Sequence, residues 1–336
     1  MRLTRIQVVP SSCPASAMTR CEDCDLGLLE FFAKYSGKPR DLFDLCVRQK
    51  LLLEEKLCNR CGKPATLDFN RKLWRCQKLR SRSKKKKEKC NWTASVYQNT
   101  FFEKAHLDIE TILVFVNAYV RECFSYSYFS PIRSELGLTN HSICDWASFC
   151  REVLVDWCLG REGKIGGEGQ IVEIDESKFG KRKYNVGRVV DGQWVFGGLC
   201  RETRECFMVP VEKRDSATLL GIIKEKIAPG TTIISDCWKA YKCLEDEGFQ
   251  HLTVNHSVNF VDPTDPATHT NTVERLWREV KAKVPLYGRR KKHFVGYLAR
   301  SMFIMAHKDP NKRFHAFLQH TAGLYNPHRP SPQSSN

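Results

Sequence analysis

The sequence predicts an α/β fold whose largest part is a mixed sheet with acids at the ends of two strands. Three observations predict it. Ile171-Val172-Glu173-Ile174-Asp175-Glu176 alternates apolar and polar residues and ends on acids. Thr231-Thr232-Ile233-Ile234-Ser235-Asp236 repeats the device. Farther on, His269-Thr270-Asn271-Thr272-Val273-Glu274-Arg275-Leu276-Trp277 sets an acid near the start of a helical pattern. Apolar residues two apart mark a strand, and spacings of three and four mark a helix.

The elements around these acids follow in order. A strand over 170–175 precedes a basic loop over 178–188 and strands over 194–201 and 205–211. A helix over 215–227 has Asp215 or Ser216 as its cap, with Leu219, Leu220, Ile223 and Ile227 facing inward. Then come a strand over 231–236, a helix over 238–247 and a strand over 251–255. A loop rich in Pro and Asp precedes a helix over 272–284. Three strands, then helix, strand, helix, strand, helix is the order of the RNase H-like fold. Its first and fourth strands lie side by side and parallel, which would bring Asp175 and Asp236 together at the carboxyl ends where open sheets hold ligands.

The chain has 336 residues, enough for two or three domains with cores of their own. Its 54 Lys and Arg against 38 Asp and Glu leave a net charge of +16, which points to a polyanionic partner such as nucleic acid. The opening residues mix Arg2 and Arg5 into an apolar stretch, so no secretory signal is expected, and no stretch is long and apolar enough to span a bilayer. The sixteen cysteines then read as reduced thiols, some of them metal ligands, and not as a disulfide framework.

Residues 1–54 form an N-terminal helical segment of unknown role, with apolar helical spacing over 28–35 and 41–53. Cys21 and Cys24 make a Cys-x-x-Cys pair flanked by Cys13 and Cys46. No second compact pair completes a metal site there, so free thiols are the preferred reading. Residues 55–102 predict a zinc ribbon. Cys58-Asn59-Arg60-Cys61-Gly62 is a knuckle whose glycine permits the turn that faces two thiolates to one ion. Cys76 and Cys90 supply the other two ligands to one structural Zn²⁺, with short β segments over 65–69, 73–76 and 92–97 around them. The wide gap between Cys76 and Cys90 is filled by a basic run over 80–89 that reads as a solvated loop. Cys46 and His106 are the alternative fourth ligands.

Residues 103–160 are helical. Ile109, Ile112, Leu113, Phe115, Val116, Tyr119 and Val120 make one apolar face. Ser130-Pro131 starts a second helix that stops at Gly137, and Thr139 caps a third carrying Ile143, Trp146, Phe149 and Val153. Helix, glycine-bearing turn, helix is the helix-turn-helix pattern of DNA-binding regions, and an ordinary helical hairpin is the competing reading. A glycine-rich stretch over 160–169 reads as a flexible linker to the domain over 170–310. Residues 311–336 read as a C-terminal tail.

The three acids suit divalent-metal chemistry. Carboxylates are the hard oxygen ligands that Mg²⁺ or Mn²⁺ takes, and two such ions can serve phosphodiester displacement. Asp175 would bridge both ions, with Asp236 on one and Glu274 on the other. Taken singly, Asp236 reads equally as a helix cap and Glu274 as a surface acid. Lys281 lies two turns from Glu274 on the same helix face.

The stretches Ile174 to Tyr184, Ser235 to Tyr241 and His269 to Trp277 with Lys281, together with Val258 to Pro263 between them, resemble DDE transposases of the Merlin superfamily. These are eukaryotic relatives of bacterial insertion-sequence transposases with an ISXO2-like DDE domain. The resemblance covers roughly residues 55–310. It implies Asp175, Asp236 and Glu274 as the catalytic triad. It also implies a cut-and-paste enzyme that binds terminal inverted repeats and target DNA, acting as a homodimer or higher oligomer, in the nucleus of a eukaryotic host. Lys178, Lys181, Arg182, Lys183, Lys281, Arg289 and Arg290 would hold the DNA backbone. In the family a second close cysteine pair is usual in the ribbon, and this chain departs from it at Cys90. A transposon-derived DNA-binding protein without catalysis is the alternative.

Overall fold

The computed structural model describes residues 21–83, 86–123, 131–180, 192–236, 241, 244–254, 268–285 and 293–327. The chain divides into two compact units. One comprises Ala15–Ala147 with Asp309–Asn336, and the other is built on Ser148–Lys308.

The first unit opens with α1 (Leu28–Tyr35) and α2 (Pro39–Arg48), close to the helical segments expected there. A three-stranded antiparallel sheet follows, made of β1 (Thr66–Asp68), β2 (Leu73–Cys76) and, after an excursion, β5 (Trp92–Ser95), in the order β1-β2-β5. The excursion corrects the expected loop. Residues of the basic run form a hairpin, β3 (Leu79–Ser83) with β4 (Lys86–Lys89), and Cys90 N–H donates to the Lys78 carbonyl at its base. Antiparallel pairing returns the chain to its starting point, so the long spacing between Cys76 and Cys90 costs no separation in space.

Helix α3 (Ile109–Val120) is capped by Asp108, whose carboxylate accepts the Thr111 N–H at 2.8 Å. Residues 112–120 are buried on every side of it, the behaviour of a helix at the centre of a core. Two further helices follow, the short α4 (Pro131–Glu135) and the long α5 (Asn140–Leu159). Gly137 at φ 60° makes the turn between them, and Thr139 accepts the Ser142 N–H at 3.1 Å. The boundary between the units falls inside α5.

The second unit carries a five-stranded sheet. Its strands are β6 (Ile171–Phe179), β7 (Gln193–Cys200), β8 (Cys206–Val211), β9 (Thr232–Asp236) and β10 (Gln250–Val254), in the order β10-β9-β6-β7-β8. β6, β7 and β8 are antiparallel to one another, while β9 is parallel to both β6 and β10. This is the arrangement the order of elements predicted, with first and fourth strands adjacent and parallel. On one face α6 (Ser216–Lys226) packs Leu219 and Ile223 against Val172, Ile174, Phe196 and Ile233. On the other, α7 (Asn271–Lys283) and α8 (Phe294–Ala306) pack Val273, Leu276, Trp277, Val280, Phe294 and Leu298 against Phe179, Val195 and Leu199. Alternate residues of β6 thus serve opposite cores, as the strand pleat requires.

Three expectations differ in detail. β6 runs four residues past Asp175, because it stays paired with β7 as far as Phe179–Gln193 after its pairing with β9 ends at Glu173–Ile234. The glycine-rich stretch is no free linker: Ile165 is buried, and its amide and carbonyl bond to Lys226 and Ala228. Its apolar side chain is worth roughly 2 kcal/mol on burial, enough to hold such a segment against the sheet. The helix expected over 238–247 lies half outside the described residues, which show a 3-10 turn at Glu245–Glu247.

The last helix, α9 (Pro310–Leu324), belongs to the first unit, and it replaces the expected tail. Asp309 caps it with Pro310 at its first turn, a start signal present in the sequence. Its Phe314 meets the edge of Phe31 at 5.1 Å, and its Phe317 packs beside Phe101.

Candidate active site

The site starts on β6. Glu173, Asp175 and Ser177 lie on one side of that strand, the side that faces α7. Glu173 is completely buried and receives the Thr272 and Val273 N–H groups at 2.8 and 2.9 Å. Those are donors of the first turn of α7, which its own residue at the cap position leaves without a side-chain partner. A buried carboxylate needs a cation as well, and Arg201 supplies it at 2.6 Å while also donating to the His269 carbonyl at 2.7 Å. Glu173 therefore fixes where α7 begins.

One turn along α7, Trp277 donates its indole N–H to Asp175 Oδ2 at 2.9 Å. Its ring lies over Gly197, the cross-strand partner of Asp175 on β7. A Cβ at Gly197 would stand 2.5 Å from Trp277 Cη2, so only glycine admits the ring. Glu274 sits three residues before Trp277, in the first turn of the same helix. Helix start and indole together hold Glu274 toward Asp175.

Asp236 arrives from β9. The parallel register pairs Ile171 with Thr232 and Glu173 with Ile234. The ladder ends there, and Asp175 and Asp236 each lie two residues past its last pair, both on the α7 side. The electrostatics agree with this proximity. Burial, chiefly, pushes the Asp175 carboxyl up to about 6, and the negative charges of Asp236 and Glu274 add to the shift. The Glu176 amide and the Trp277 indole act the other way. Glu176 is pushed further, to about 8, by burial and then by Asp175 and Asp236, against the opposing charge of Arg214 at 4.0 Å. Asp175 and Glu176 thus hold raised carboxyls beside the charges of Asp236 and, for Asp175, Glu274, repulsion that a divalent ion would relieve.

Asp175, Asp236 and Glu274 do not form one compact group of ligand atoms. Among the described residues, the groups of three or more with ligand atoms mutually within 4.8 Å are two cysteine clusters. The larger is Cys58, Cys61, Cys76 and Cys90, the set the sequence predicts. Cys58 and Cys90 sulfurs are 3.6 Å apart, and Cys61 and Cys76 sulfurs 3.5 Å. A zinc–thiolate tetrahedron with bonds of about 2.3 Å has edges of about 3.8 Å, so the four thiols fit that ion. Neither alternative ligand, Cys46 or His106, is in the cluster.

The basic residues are placed in part. Lys178 is exposed on β6, its ammonium 5.6 Å from the Trp194 ring centre. Lys281 is exposed on α7, 5.5 Å from the ring centre of Phe179. Lys181, Arg182, Lys183, Arg289 and Arg290 lie outside the described residues. Sequence reasoning missed Glu173, Arg201 and the role of Trp277. One signal for Glu173 is available in the sequence: an acid two residues before Asp175 inside an apolar alternation must face the same buried side.

Comparison with known proteins finds similarities of three kinds. Residues 162–304 match a family model described as the ISXO2-like transposase domain. An uncharacterized transposase-like protein of Haemophilus influenzae is 32% identical over 93 residues, which are 27% of this chain and 73% of that protein. Among solved structures, the HTLV-2 integrase catalytic core domain in complex with magnesium (dimeric form) is similar at 12% identity and a TM-score of 0.25, over 42% of this chain and 87% of that one. With that domain match and that relative, the chain belongs to the family of transposases that carry the ISXO2-like domain.

Proposed function

We propose that the chain is a cut-and-paste DNA transposase of the Merlin type, with residues 170–310 as an RNase H-like catalytic domain and Asp175, Asp236 and Glu274 as its acids. The observation that carries this reading is that Asp175 and Asp236 each lie two residues past the last pair of adjacent parallel strands, with the Glu274 helix tied to Asp175 through Trp277. A two-ion site asks that Asp175 face both other acids, and it does not ask that Asp236 and Glu274 touch. Two Mg²⁺ or Mn²⁺ ions held there would activate the attacking oxygen and neutralise the leaving one.

The rest falls to the chain's own groups. In the first reaction a water oxygen bonds to the phosphorus at the element's end, and the bond to the 3′-oxygen breaks, freeing a 3′-hydroxyl. In the second, that hydroxyl bonds to a target phosphorus and displaces the target's own 3′-oxygen, so the first step spends one phosphodiester on water, leaving a 5′-phosphate, and the second exchanges one phosphodiester for another. Trp277 keeps Asp175 oriented through both. Lys178 and Lys281 favour a phosphate backbone, joined by Lys181, Arg182, Lys183, Arg289 and Arg290. The zinc ribbon at 55–102 and the helix-turn-helix-like region at 103–160 recognise the terminal inverted repeats, and two or more copies assemble on DNA. In a eukaryotic host the protein works in the nucleus.

The test is incubation of the protein with DNA carrying the element's ends, in Mg²⁺, Mn²⁺ or chelator. Metal-dependent nicking followed by joining to a second DNA supports the reading. Binding without cutting under every metal condition would leave a DNA-binding protein, and cutting without joining would leave a nuclease.

A further inference from the structure

Cys21 and Cys24 form a short turn ahead of α1, and His315 lies on α9, nearly the whole chain away. One ligand atom from each lies within 4.8 Å of the other two. The turn is firmly built. Cys24 and Asp25 amides donate to the Cys21 carbonyl at 3.4 and 3.0 Å, and Asp25 Oδ2 accepts the Cys21 N–H at 2.8 Å. Asp23 at its apex accepts the Tyr35 hydroxyl at 2.9 Å and Arg48 Nε at 2.8 Å. Outside the triplet, Gln49 Nε2 donates to Cys21 Sγ at 3.7 Å, the kind of bond that steadies a thiolate.

Two buried atoms at this place lack a hydrogen-bond partner: His315 Nδ1 and Asp25 Oδ1. Asp25 is 8% exposed and Cys24 is fully enclosed. Leaving a buried polar atom without a partner is unfavourable by about 1–3 kcal/mol. Native structures seldom tolerate two such atoms together unless something occupies the space between them.

We propose that Cys21, Cys24 and His315 hold a second zinc ion, separate from the ribbon cluster, with water as the fourth ligand. Two thiolates and an imidazole select zinc over the oxygen-loving divalent ions. The ion fastens the turn before α1 to α9, and so joins the first and last described segments of one compact unit. A Cys-x-x-Cys pair with no second pair near it in sequence finds its third ligand only through the fold. This inference does not rest on the transposase reading.

Metal analysis of the full chain, purified under reducing conditions, tests it. Two zinc ions per chain are expected. Cys21→Ser and His315→Ala should each remove one, and the double variant Cys58→Ser/Cys61→Ser should remove the other. Cobalt in place of zinc gives a second readout. In the Cys58→Ser/Cys61→Ser protein, the remaining ion should show roughly half the thiolate-to-cobalt absorption of a four-cysteine site. A single zinc that Cys21→Ser removes supports the inference and counts against the ribbon. A single zinc that Cys21→Ser spares overturns it, as does a Cys21–Cys24 disulfide in the reduced wild-type chain. If Cys21→Ser does not fold, His315→Ala is read in its place.

Discussion

Trp277 on α7 donates its indole N–H to Asp175 on β6 at 2.9 Å, with its ring over Gly197. This bond orients a carboxylate that burial would otherwise leave under-solvated. Trp277→Phe keeps most of the ring packing and removes only the donor. Thermal stability should fall modestly, by about 1 kcal/mol, while DNA cleavage falls about ten-fold or more at limiting Mg²⁺. Gly197→Ala should do more harm, since its Cβ meets the ring at 2.5 Å and α7 must move. Melting curves and metal titrations of both variants check this. Equal and unaltered cleavage by the two would remove Trp277 from the site.

Glu173 is the second anchor. Glu173→Gln keeps its size but leaves Arg201 without its carboxylate and weakens the bonds to the start of α7. Breaking one side of a buried pair is destabilising by about 3–5 kcal/mol. Urea unfolding should show a loss of that order, and cleavage should fall with it. A loss below about 1 kcal/mol would mean that α7 is positioned by its apolar face alone.

The raised carboxyls set a pH dependence. Asp175 moves from 3.8 to about 6 and Glu176 from 4.5 to about 8. Between roughly pH 4 and 8, the metal-free folded chain therefore holds protons that the unfolded chain has released. Stability from these groups is greatest at the acid end and declines as pH rises through that window. Asp175→Asn with Glu176→Gln removes the titration. The variant should match the wild type near pH 4 and exceed it by about a few kcal/mol at pH 8. Mg²⁺ should restore the wild type at high pH. A stability difference that stays constant with pH contradicts the argument.

In the proposed site Lys281, two turns from Glu274 on α7, would hold a phosphate beside the scissile one. Lys281→Ala should reduce cleavage about ten-fold and lessen its salt dependence, and Lys281→Arg should recover part of it. Lys283, on a different face, serves as the control. Identical, near wild-type behaviour of both alanine variants would leave Lys281 as surface charge stacked on Phe179.

Much of this arrangement was legible in the sequence because it is written locally. β6, β9 and α7 show in the apolar periodicity of their own residues, and Asp175, Asp236 and Glu274 stand at its edges. What was not legible depends on partners remote in the chain. Glu173 reads as a misplaced acid until Thr272, Val273 and Arg201 come to it. The basic run after Cys76 reads as a loop because like charges repel, yet strand pairing along Leu79–Ser83 and Lys86–Lys89 overrides that. α9 stands where the sequence reads as a tail, although Asp309-Pro310 announces a helix start. Cys21 and Cys24 read as free thiols because His315 is nearly three hundred residues away.

The central claim is that Asp175, Asp236 and Glu274 act together on DNA held elsewhere on the protein. Asp236→Ala tests it most directly, because Asp236 stands at the end of β9 with its side chain only partly buried, so its removal spares the core. Binding and cleavage of element-end DNA are to be measured on the same preparation in Mg²⁺. The account predicts binding within about two-fold of wild type and cleavage below about one hundredth. Substantial cleavage by Asp236→Ala would contradict it.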